Sequence, residues 1–153
     1  MDRVRRAAAA AVGVMIVSLA GCAPASVDHE AAQDWLTAIT AERDGTPGRL
    51  GAVGGMTSPT EPQTGQEGIT LTLDEPGTVS KVDVLCFGGH SAVASVTTNS
   101  AASALATQTE IPCDERAHRI DVGDGAAPRQ GVTSVTVSVH SSTTTTFYAD
   151  VYP

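Results

Sequence analysis

In several runs between Ile69 and Tyr152 apolar residues return at every second position, and this two-residue period narrows the possible folds more than any other feature of the chain. Ile69, Leu71 and Leu73 alternate with Thr70 and Thr72. Val82, Val84 and Cys86 fall on one face, with Lys81, Asp83, Leu85 and Phe87 on the other. Val135, Val137 and Val139 alternate with Ser134, Thr136 and Ser138, and Tyr148 and Tyr152 lie opposite Phe147 and Val151. Successive side chains of a strand point to opposite faces, so such runs build half-buried strands and not one stripe of a helix. Weaker runs predict further strands near 92–98, 105–111 and 118–122. Asp74-Glu75-Pro76-Gly77 places Pro and Gly as a type II turn wants them, Gly88-Gly89 breaks a run, and Ser141-Ser142 can reverse the chain. About seven short strands at this spacing predict a mainly β fold, an antiparallel β-sandwich over 67–153.

The core has few large rings to use. Trp35, Phe87, Phe147, Tyr148 and Tyr152 are the aromatic residues, so valine, threonine and small residues must fill it, a composition that favours strands. Ahead of the sandwich, Asp28 to Arg43 sets Ala32, Trp35, Leu36 and Ile39 at i, i+3, i+4, i+7, one apolar stripe of a helix. Ser26 or Asp28 can cap it, and Gly45 can end it. That stripe suits either packing on the sandwich or binding a partner protein. Residues 44–66 are rich in Gly, Pro and Thr, with Gly54-Gly55, Pro59 and Pro62, and read as a linker between helix and sandwich.

The chain opens with Arg3, Arg5 and Arg6, followed by an uncharged stretch from Ala7 to Ala20 and the run Leu19-Ala20-Gly21-Cys22. The apolar stretch suits a signal peptide and falls short of the ~20 residues of a spanning helix. Arg5-Arg6 is followed by alanines, not by the fuller twin-arginine pattern. The Leu19–Cys22 run resembles a bacterial lipobox. The resemblance implies that residues 1–21 are a removable signal peptide, that Cys22 carries a diacylglyceryl lipid, and that the mature chain is held on the extracytoplasmic face of the cell membrane. Two acyl chains anchor durably where one does not. With Cys22 so committed, Cys86 and Cys113 are left as a disulfide pair in an oxidising compartment. Neither belongs to a C-x-x-C motif, which argues against a metal or redox pair. Their bridge should contribute about 3–4 kcal/mol through loop-closure entropy.

Val84-Leu85-Cys86-Phe87-Gly88-Gly89, Ile111-Pro112-Cys113-Asp114 and the valine-alternating stretch together resemble small actinobacterial lipoproteins in which a C-x-G-G strand end pairs with a later P-C-D. That resemblance implies a disulfide-stapled β-sandwich outside the membrane and brings no activity with it.

Charge excludes one class of partner. Without residues 1–21 the chain has 6 Lys and Arg against 16 Asp and Glu, so nucleic acid and anionic headgroups are repelled. Gly89-His90-Ser91 sets a base beside a hydroxyl, but strand neighbours point to opposite faces, and the nucleophile elbow G-x-S-x-G is missing. Asp114, Glu115, His118, Asp121 and Asp124 gather oxygen ligands and an imidazole without a metal-site spacing; they read as a solvated acidic loop with a local Arg116–glutamate pair, calcium being the metal to test. His29, His90 and His140 are scattered and read as exposed. Tyr148, Tyr152 and Trp35 are the rings with polar tips that a sugar platform would need. No catalytic residue, metal ligand or cofactor is expected. The expected function is non-catalytic: a membrane-anchored module binding an unidentified protein or envelope ligand, with an envelope hydrolase or a purely structural surface protein as alternatives.

Overall fold

A computed structural model describes residues 28–59, 68–124 and 127–153. The lipobox and Cys22 lie outside them. Within them the chain forms one helix, α1 (His29–Arg43), and the strands β1 (Gly51–Thr57), β2 (Ile69–Val79), β3 (Lys81–Phe87), β4 (Ser91–Ser100), β5 (Ala104–Pro112), β6 (His118–Asp121), β7 (Gly123–Asp124), β8 (Ala127–His140) and β9 (Thr145–Tyr152). All pairings are antiparallel. One sheet runs β1-β9-β3-β6 and the other β2-β8-β4-β5, with the two-residue β7 beside β8. The mainly β sandwich expected from the two-residue period is the fold of the chain.

The expected faces hold strand by strand. Val82, Val84 and Cys86 of β3, Phe147, Ala149 and Val151 of β9, and Ile120 face Ala94, Val96, Val135, Val137 and Val139 across the core. Valines meeting valines suit β-branched side chains, which are stiff and pack well on a pleated surface. Cys86 is fully buried in the first sheet and is bonded to Cys113, just past β5 of the second. The disulfide therefore ties the two layers together.

Two expectations need correction. Residues 44–66 are not a linker throughout, because Gly51–Thr57 pairs with β9 over seven residues. The glycines that hid this strand are the reason it fits. A Cβ on Gly54 would lie 3.0 Å from Leu36 of the helix, and a Cβ on Gly51 would lie 2.8 Å from Leu71 of β2. Glycine in a strand often marks such close approach. Asp74–Gly77 does not turn the chain either; it bulges within β2, whose register against β8 jumps from Thr72↔Ser134 to Gly77↔Val132. A bulge tolerates Pro76, which lacks the N–H of a ladder.

The helix settles on the outer face of the first sheet and adds a third layer. Asp28 caps it by accepting from the Glu30 N–H at 3.0 Å. Trp35 stacks on Phe87 with centroids 5.4 Å apart, and Ile39, with Leu36, packs on Leu85, Tyr148 and Ala52. The apolar stripe thus packs on the sandwich.

Candidate functional site

Two places gather polar groups with restricted access to water. The first lies beneath the C-terminal end of α1. Asp150 of β9 is fully buried on the outer face of its sheet. Its carboxylate accepts from Arg49 Nη1 at 3.0 Å and Arg43 Nη1 at 3.3 Å. Arg49 Nη1 also donates to the Tyr148 hydroxyl at 2.7 Å and to the Arg43 carbonyl at 2.9 Å. That carbonyl, one of the acceptors a helix end leaves over, takes Thr46 Oγ1 as well, at 2.7 Å. The hydrogen bond to Asp150 raises the Arg49 pKa above its ordinary value, with burial opposing. Burial, then the charge of Asp150, raises that of the Tyr148 hydroxyl, with Arg49 opposing. Every group here is answered by another, so the cluster latches helix to sheet. Beside it Lys81 pairs with Asp83 at 3.2 Å and sits 4.4 Å from the centre of the Tyr152 ring.

The second place is a cavity of about 200 Å3 at one end of the sandwich. It exists because of register. β2 closes the side of the sandwich by laying Ile69 against Gly55 and Leu71 against Gly51 of β1. Its first pair with β8 is Ile69↔Val137, so Ser138, Val139 and His140 continue beyond it with β4 alone among the described residues. The gap they leave is walled by Met56, Ile69, Val139 and Phe147, with Thr57, Ser138, His140 and Ser141 at its lip. His140, expected to be exposed, is half-buried here. Ile69 remains 38% exposed at the mouth.

The other candidates separate. The Asp114 carboxylate pairs with His118 at 2.7 Å and accepts the Arg116 N–H at 3.1 Å; its pKa falls, chiefly through the His118 bond. Arg116 therefore contributes its backbone, and the local ion pair is not the Arg116–glutamate pair expected. Asp121 instead pairs with Arg119 at 2.8 Å. The side chain of Asp124 lies outside the described residues. Among the described residues no three His, Cys, Asp or Glu come together as a metal site. His90 and Ser91 are exposed, and their backbone carbonyls accept from Cys113 N and Ser141 Oγ. Tyr148, Trp35 and Tyr152 are each engaged within the fold, under the helix, on Phe87 and beside Lys81. They form no flat exposed platform.

Both places were missed in the sequence for the same kind of reason. Asp150 sits in an outward position, which reads as solvated until a helix covers it. The cavity depends on where β2 starts relative to β8, and no residue type signals that. Compared with protein-family models, with characterised proteins and with solved structures, the chain finds no match in any of the three.

Proposed function

We propose that this chain is a non-catalytic binding module, held by lipid on Cys22 at the extracytoplasmic face of a cell membrane, with the end cavity as its ligand site. One observation carries the reading: the cavity opens at the end of the sandwich where α1 begins. The direction of the helix follows from its contacts. Trp35 lies over Phe87, which pairs with Thr146, whereas Arg43 reaches Asp150 farther along β9. Met56 pairs with that same Thr146 and lines the cavity. His29 is seven residues from Cys22, a span of at most about 25 Å for a fully extended chain. A lipid on Cys22 would thus hold the cavity end toward the membrane. The inter-sheet disulfide supports an oxidising compartment.

The test is fractionation of cells producing the full chain or its Cys22→Ala variant, with incorporation of labelled palmitate. The wild type should sediment with membranes and take up label; the variant should do neither. Membrane retention of the unlabelled variant would end the anchor reading.

A further inference from the structure

We infer that the end cavity takes the tail of one aliphatic chain from a membrane lipid, a ligand class that deepens the reading above and rests on it for the direction in which the cavity faces. Three features point to such a chain.

Apolar residues from both layers share the lining with polar ones, Phe147 and Met56 from the first sheet's strands and Val139 and Ile69 from the second's. The lip is polar, and no Asp or Glu is among its described lining residues, in a chain with 17 of them. Size sets how much enters. An apolar cavity of ~150 Å3 accepts a benzene-sized guest, and at ~30 Å3 for each water-sized group the present one holds about six or seven carbons. A whole lipid does not fit, but the end of one chain does.

Two other occupants fit less well. Residues 60–67, which connect Pro59 to Gly68, contain two glutamates and no Val, Ile, Leu, Met or aromatic residue, so they supply no apolar plug. The acyl chains on Cys22 itself are needed in the bilayer for durable anchoring. The ligand is therefore a separate lipid, drawn from the surface that the cavity faces.

The experiment uses the secreted Cys22→Ala chain, which carries no anchor, titrated with straight-chain fatty acids of four to twelve carbons below their micellar concentrations. Burying one methylene contributes ~0.8 kcal/mol, so affinity should rise about fourfold per carbon and level off after about six or seven. Ile69→Glu places a charge at the mouth on a side chain already partly exposed, and Thr57→Phe adds bulk to the lining from the first sheet. Each should weaken binding at least tenfold with the melting transition retained, and the pair keeps the test readable if one variant fails to fold. No binding at any length, affinity indifferent to length, or affinity unchanged in both folded variants would overturn the inference. Because the anchor is absent from this protein, fatty-acid binding by a chain whose wild type is not membrane-bound would sink the anchor reading alone.

Discussion

Replacing Asp150 by Asn leaves the shape under the helix nearly unchanged and removes the charge that Arg43 and Arg49 share. Two hydrogen bonds between charged groups are affected, at 3.0 and 3.3 Å, each worth ~1.5–3 kcal/mol when buried. Removing one partner of a fully buried ion pair costs ~3–5 kcal/mol, because the other charge is stranded. Here the arginine side chains are 24% and 16% exposed and can recover water, and asparagine keeps one acceptor oxygen. The expected loss is therefore about 2–3 kcal/mol, or a melting temperature lowered by about 10 °C for a domain of this size. Urea unfolding followed in parallel by Trp35 fluorescence and far-UV circular dichroism reads it. Trp35 rests on Phe87 through the helix, so it reports docking, whereas dichroism is dominated by the strands. In Asp150→Asn the fluorescence midpoint should fall at least as far as the dichroism midpoint. If both stay within about 0.5 kcal/mol of the wild type, the cluster is not a latch, and its bonds only replace those that water would have made.

Three further outcomes follow from the same geometry. Reducing the Cys86–Cys113 bridge opens a 27-residue separation and should cost about 3–4 kcal/mol, read as a lower denaturant midpoint with reductant present. Gly54→Val pushes a side chain toward Leu36 and the Phe147 carbonyl, so an overpacking loss of about 1–3 kcal/mol is expected; a midpoint equal to wild type would show that the helix yields freely. Asp114 has its pKa lowered by His118, so the stability it contributes is present above the ordinary carboxylate range and is lost as pH falls through its lower folded-state value. Midpoints recorded from pH 6 to pH 2 should show a steeper acid decline in the wild type than in His118→Gln, and parallel curves would refute that assignment.

The sequence disclosed whatever one element decides alone. The faces of β3, β8 and β9, the stripe of α1 and the pairing of Cys86 with Cys113 were legible because each rests on a local period or on the small number of cysteines. Features that need two elements at once were not. Gly54 and Gly55 erased the period of β1, yet they are glycine because that strand has a helix side chain, Leu36, on one face and Ile69 on the other. Pro76-Gly77 has the chemistry of a turn, and only the ladder with β8 makes it a bulge. Misreading β1 as linker then hid the rest: a helix on a long tether would not cover Asp150, and without that cover Asp150, Arg43 and Arg49 look like ordinary surface charges. The candidate site followed the same rule, since Met56 and His140 are 84 positions apart in the chain and meet only through strand register.

The place of β9 has a consequence for how the chain reaches its folded state. Thr145–Tyr152 lies inside its sheet, between β1 and β3, and its outer face receives the helix. β3 and β6 can pair before these eight residues have emerged, but β1 cannot join them, since among the described residues it has no other ladder partner, and Leu85 and Ile39 have no Tyr148 to cover. In the opposite layer β2 waits in the same way for β8, while β4 and β5 form a hairpin with neighbours close in sequence. Long-range pairings of this kind make folding slow relative to local ones. A chain threaded through a membrane from its N-terminus would therefore complete its first sheet and dock its helix only late, in one cooperative event on the far side.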